Sequence, residues 1–235
     1  RSIDKNIVEM TFRQTGYDTQ VSFKTITAEQ ADRIASHPEV AEVGNSLVAG
    51  LVEDTRVAGR QVEVRWADES YAAHSFALPV TGRMPRSMDE IALDTIVLDR
   101  LGVAHELGAQ VTFQWMADFV SKELITSTFT LCGFWEGNES GYASMAWVGE
   151  EFAEAAVESA GRANPEEMIG LRMAQVSLYS DRDIEGTMER ILSELRMDGL
   201  EYAVNLAYSP EMNRMAMQES LPMYVGMVLV FLAGY

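Results

Sequence analysis

Three histidines, one cysteine and a run of methionines are the side chains of this 235-residue chain best suited to chemistry. His37, His74 and His105 stand more than thirty positions apart, so only the fold could bring them together, and each reads as a residue on a surface turn. "HELGA" (His105–Ala109) opens like the zinc motif H-E-x-x-H but lacks the second His one turn on, and without that ligand the metal has no basis there. "GNESG" (Gly137–Gly141) is not a nucleophile elbow, because its Ser comes one place too late. No GxxxxGK[ST] or GxGxxG loop is present to cradle a phosphate. Cys132 is the only cysteine, which excludes an intrachain disulfide and a thiolate cluster; in "TFTLCGFW" it reads as a small core residue. Met212, Met215, Met217, Met223 and Met227 crowd the C-terminal part. Thioethers accept Cu(I), but adaptable packing and lipid contact explain methionine as well. Pairs such as Asp181 and Asp183 signify little in a chain with 36 acids. No catalytic residue, cofactor or metal is therefore expected.

A binding role has one local candidate. Trp135 and Tyr142 flank the acidic, Gly-containing stretch "WEGNESGY", which also holds the sequon Asn138-Glu139-Ser140. Exposed aromatics on a loop tip would mark a partner contact formed by Trp135, Asn138 and Tyr142. Burial beneath the loop is the other reading.

Charge narrows the partners. Formal net charge is −18, and between Glu136 and Gly170 eight acids face the single Arg162. Nucleic acid is excluded, because phosphate binding needs a basic face. The acidic stretch is a solvated surface or a docking face for a cationic partner. The opening "RSIDKNIVEM" lacks a charged segment followed by an apolar core, so an extracytoplasmic location would require a delivery segment upstream.

The elements that would position these groups follow from periodicity. "DTQVSFKTI" (Asp18–Ile26) alternates as a strand; Thr27 and Gln30 form a capping box for a helix carrying Ala31, Ile34 and Ala35 that Pro38 ends; "EVAEVGNSLVAGLVED" (Glu39–Asp54) is extended. The same order recurs with "MAQVSLYS" (Met173–Ser180), a helix capped at Ser180 and Asp183 with Ile184, Met188, Ile191, Leu192 and Leu195 on one stripe, a stop at Asp198–Gly199, and a strand over Leu200–Tyr208. These two β-α-β halves, 16–54 plus 172–209, are the ingredients of a ferredoxin-like layer in an α+β fold. Between them, 55–171 reads as an inserted strand-rich subdomain. It has a strand at Arg60–Asp68, a short helix capped by Asp94 and stopped by Gly102, two strands joined by "ADFVSK", and a helix over Glu150–Gly161.

Residues 210–235 read as a stalk helix with Pro210 at its first turn and an interruption at Pro222. No charge follows Glu219, and the sixteen residues Ser220–Tyr235 would reach roughly 24 Å as a helix. That falls just short of a bilayer span. A helix that becomes apolar on every side has entered lipid or a deep core, and the expectation is the beginning of a transmembrane helix.

The chain resembles the extracytoplasmic domain of FtsX-like ABC transporter permeases, the MacB-like periplasmic core domain. "GRMPRSMDEIALDTIVLDRLGV" (Gly82–Val103), "LGAQVTF" (Leu107–Phe113) and "FTLCGFWEG" (Phe129–Gly137) carry the resemblance, which extends over essentially the whole chain. Ala109 and Gln110 depart from a frequent Gly-Asp in that family. The resemblance implies a domain between transmembrane helices one and two, a permease dimer, and ATP hydrolysis on a separate cytoplasmic ATPase subunit. It further implies that helix motion is coupled to export, extraction or regulation of an unknown substrate or protein partner outside the membrane. The residues implied to act are then mechanical, Pro210 and Pro222. The alternatives are a membrane-tethered binding module for a cationic ligand, and a hydrolase whose site is assembled from dispersed acids.

Overall fold

The computed structural model describes residues 12–13, 15–141, 143–163 and 171–208. The stalk with Pro210 and Pro222, and Tyr142, lie outside the described residues. The fold is mixed α+β. In chain order the elements are β1 (Val21–Phe23), α1 (Ala28–Ala35), β2 (Val40–Val52), β3 (Val62–Ala67), α2 (Glu69–His74), β4 (Thr81–Gly82), β5 (Glu90–Asp94), α3 (Thr95–Leu101), β6 (Gln110–Met116), β7 (Ile125–Trp135), β8 (Ser144–Val148), α4 (Glu150–Ala163), β9 (Arg172–Leu178), α5 (Ile184–Glu194) and β10 (Ala203–Val204). Among the described residues no helix is long and apolar enough to cross a membrane.

One sheet joins all ten strands, and β2 is its hinge line. On one side the order is β10-β1-β9-β2, every pair antiparallel. On the other, β2 pairs with β3, β3 with β8, β8 with β5, β5 with β7, β7 with β6, and β6 returns to β2 through Leu51–Met116 and Val52–Trp115. Six strands thus close on themselves, which leaves the ring without the unpaired edges that invite aggregation. β2 serves both parts by its length. Val40–Leu47 pair with β9, and Ser46–Leu51 with β3. The β2–β3 register shifts between Val48 and Gly50, where the strand leaves β9 behind. Such an irregularity bends a strand and strengthens its twist.

Alternation sorts the side chains. Val21 and Phe23, and Ala174, Val176 and Leu178, share one face with α1 and α5, where Ala31, Ile34, Ile184, Met188, Ile191 and Leu192 seal them. A second core lies at the ring, with Val62, Val64, Val111, Phe113, Phe129 and Leu131. There α4 lays Phe152 against Trp115 and Phe129, with ring centroids 5.4 and 5.1 Å apart.

Capping follows the sequence in two helices and departs from it in another. Thr27 and Gln30 exchange both bonds of the capping box. Asp94 caps α3, which ends at Gly102 in the left-handed region, φ 68°. Glu150 opens α4 where the helical pattern begins. α5, however, starts after Asp183 rather than Ser180. Asp183 adopts φ 48° and accepts from Gly186 N, and a Cβ on Gly186 would lie 2.2 Å from its carboxylate. Ser180 instead accepts from Arg182 N in a local turn. α5 also ends at Glu194, before Asp198–Gly199. Two expected strands are shorter than their patterns. β1 begins only at Val21, because the Gln20 side chain takes a strand residue's place, bonding both the N–H and the C=O of Leu178. The last strand keeps two residues, because Asn205 turns the chain into a 3-10 turn at Leu206–Tyr208.

Replacing Ile191, fully buried between α5 and the sheet, by Ala is expected to cost about 2–5 kcal/mol. Urea unfolding at an unchanged denaturant slope measures it.

Candidate functional site

The face of β1, β9 and β3 opposite α1 and α5 carries polar residues: Ser22 on β1, with Lys24 in the bend just beyond its end, Gln175 on β9, Glu63 and Arg65 on β3. α2 is laid over this face. Asp68 accepts from Tyr71 N as the helix cap and from both the backbone and the side-chain amide of Asn45 on β2. Gly44 permits the approach, since a Cβ there would lie 2.6 Å from Tyr71 N. Tyr71 is thereby held above Arg65, whose guanidinium donates to Tyr71 OH at 3.0 Å, to Glu63 Oε1 at 2.5 Å and to Met173 Sδ at 3.2 Å.

Between this sheet face, α2, Arg13, Thr15, Gly16, Tyr17 and the loop after β7 lies a cavity of about 360 Å³. Its far wall is fixed by a relay. Arg60 Nε donates to Ser144 Oγ at 2.7 Å, Ser144 Oγ donates to Asp94 Oδ2, and Asp94 Oδ1 caps α3 through Val97 N. Each oxygen of Asp94 thus accepts one hydrogen bond. Arg60 also donates to Asn138 O at 3.0 Å, and Gly137 N donates to Thr95 Oγ1, which set the loop.

The structure therefore brings two of the three loop residues to the cavity. Trp135 is buried, only 6% exposed, and packs with Trp147 and Tyr71 while its surface lines the cavity. Asn138 is exposed, and its Oδ1 accepts from Ser140 N. The sequence reading missed α2 and β8; the cap signal "ADES" at Asp68 was available for the helix.

The histidines stay apart. His37 meets Glu194 at 2.6 Å, His105 meets Asp99 at 2.6 Å, and His74 bridges Asp18 and Glu42. Among the described residues no group of three or more His, Cys, Asp or Glu could hold a metal ion. Cys132 is buried, and burial pushes its thiol up to about 11. The acids of α4, Glu150, Glu151, Glu154 and Glu158, are exposed along one helix.

A second feature is the seam between the first and last described segments. Asn205, 1% exposed, donates from Nδ2 to Tyr17 O and Thr19 O at 2.8 and 3.1 Å. Its backbone N–H donates to Gln20 O at 2.8 Å. Tyr208 OH donates to Asp18 O at 2.7 Å, and its ring lies 5.1 Å from that of Phe12.

No family model matches the chain, and no curated protein matches it. Three solved structures are similar to it. A domain of a putative permease protein from Porphyromonas gingivalis has TM-score 0.48 and 13% identity, covering 87% of this chain and 98% of that one. The extracellular domain of the noncanonic ABC-type transporter YknZ from Gram-positive bacteria has TM-score 0.47 and 13% identity, covering 80% and 99%. The periplasmic region of MacB from Actinobacillus actinomycetemcomitans has TM-score 0.48 and 10% identity, covering 87% and 94%.

The Asp18 carboxylate at Nδ1, with Glu42 at Nε2, raises His74 from 6.5 to about 9 against the opposing effect of burial. The bridge contributes in full below about pH 6.5 and is lost as the pH rises to about 9. The stability gap between the natural chain and His74→Gln should narrow over that window. Thermal unfolding of both at each pH measures it.

Proposed function

We propose that this chain is the extracytoplasmic domain of an FtsX-like ABC transporter permease, carried between two membrane helices and worked by a cytoplasmic ATPase subunit in a permease dimer. In this reading β10-β1-β9-β2 with α1 and α5 is a ferredoxin-like base near the bilayer, built from 16–54 and 172–209. The strand order, with β9 inserted between β1 and β2, supports it. The distal lobe is 55–171, whose five strands β3, β8, β5, β7 and β6 are closed into a ring by β2 of the base, and 210–235, with Pro210 and Pro222, is the stalk.

The observation that carries the reading is the seam. Two segments nearly two hundred residues apart in sequence are tied by Asn205, Tyr208 and Phe12. A pull on either flanking helix is then delivered to one point of the base, and β2 passes it to the ring. The domain works as a lever that couples ATP-driven helix motion to a substrate or protein partner outside the membrane, with the chemistry of ATP left to the other subunit. The cation-binding alternative would use the acidic stretch from Glu136 to Gly170, of which Glu150, Glu151, Glu154 and Glu158 are exposed on α4, and not the cavity, whose lining holds Arg13, Lys24, Arg60 and Arg65.

The test is purification of the intact gene product from its own membranes. It should sit in the membrane fraction, expose this domain to external protease and retain an ATP-binding subunit. Asn205→Ala, expected to cost about 1–3 kcal/mol by stranding buried carbonyls, should leave the domain folded while substrate-linked ATP turnover falls. A product that fractionates with soluble protein, or purifies with no ATPase, overturns the reading.

A further inference from the structure

We propose that the cavity over the β1–β9–β3 face binds a small amphipathic organic anion, a carboxylate or phosphate ester on an apolar body. The inference rests on the cavity alone and stands whether or not the chain is part of a transporter.

Charge points to an anion. The chain carries 36 acids and 18 bases, yet four of those bases, Arg13, Lys24, Arg60 and Arg65, line one cavity against two acids, Asp94 and Glu136. Asp94 is joined to Arg60 through Ser144 Oγ and Glu136 is exposed, so the basic side chains of the lining still outnumber the acidic ones by two. Glu63 answers only Arg65. A cluster of bases in a concave wall of low dielectric attracts an anion more strongly than the same charges on an open surface.

The wall is also built rather than accidental. Arg65 and Gln175 are 6% and 5% exposed, and among the described residues the donor Arg65 Nε and the acceptors Gln175 Oε1 and Glu63 Oε2 have no partner. Buried polar groups are almost always satisfied in folded proteins, so the unfilled donor Arg65 Nε marks a place where an acceptor group belongs. Tyr71 and Trp135, with Met145 and Met173, form the apolar part. A few polar groups converging in an apolar wall, at a volume of about 360 Å³, is the make-up of a site for a small organic ligand. The oxyanion would lie toward Arg65 Nε and Lys24 and the body against the aromatic and thioether surface.

The probe is 8-anilinonaphthalene-1-sulfonate, an anionic fluorophore with an apolar body, titrated into the intact chain at low salt, with near-UV circular dichroism as the check on native packing. One saturable site is expected, displaced by octanoate or octyl phosphate and not by octyltrimethylammonium. Stronger displacement by octyl phosphate assigns a phosphate ester, and stronger displacement by octanoate a carboxylate. Ser22→Phe, which fills the cavity from β1, should abolish binding. Lys24→Glu, at an exposed position, should weaken it about tenfold or more while the fold persists. If Ser22→Phe unfolds the chain, Lys24→Glu decides. Binding unchanged in Lys24→Glu, equal displacement by the cationic amphiphile, or no saturable site overturns the proposal.

Discussion

Everything in this molecule is hung on the thirteen residues of β2. The strand is the last member of a four-stranded antiparallel layer and the first member of a closed six-stranded ring, and the two roles overlap at Ser46 and Leu47. A strand presents two backbone edges, and β2 uses both at those residues. A one-residue slip would turn Val43, Leu47 and Ala49 to the wrong face in both halves at once. That requirement explains the local chemistry around it. Gly44 has no Cβ because α2 rests directly upon it, and Asp68 spends both oxygens locking α2 to Asn45. The register shift beyond Val48 redirects the strand into the ring.

The cavity is a consequence of the same arrangement. A two-layer base leaves one sheet face for water. Here α2 and the loop after β7 are drawn over that face by β2 and by the Arg60–Ser144–Asp94 relay, and they roof it without filling it. Polar residues that an open sheet would simply hydrate, Arg65 and Gln175 among them, become wall. The seam at Asn205 belongs to the opposite logic. There the Asn205 side chain donates to Tyr17 O and Thr19 O and accepts from Ala207 N, with no space left between the segments it ties.

Much of this was legible in the sequence where the signal is local. The caps at Thr27 and Asp94, the stop at Gly102 and the paired strands β6 and β7 follow from spacing alone. So does the order strand-helix-strand in both halves. What was hidden is whatever depends on distant backbone. Gln20 reads as a strand residue, yet its side chain does the pairing; Asn205 reads as mid-strand, yet it ends β10. β8, five residues with Trp147 and Met145 on one face and Ala146 and Val148 on the other, is buried on both sides and so has no polar alternation to betray it. For the loop "WEGNESGY" exposure and burial were equally open from the sequence, and the structure buries Trp135. Trp135 matters as a cavity wall packed against Tyr71 and Trp147, not as an exposed tip. The cavity's basic lining comes from residues 13, 24, 60 and 65, whose convergence no periodicity could reveal.

The central claim is that β2 makes the layer and the ring one mechanical body. Native-state amide hydrogen exchange along Val40–Val52 tests it most directly. If the claim holds, amides paired to β9 and amides paired to β3 exchange with the same opening free energy and the same denaturant dependence. If the ring-side amides beyond Val48 exchange through a separate, lower opening while those facing β9 stay protected, the layer and the ring are independent units and no lever exists.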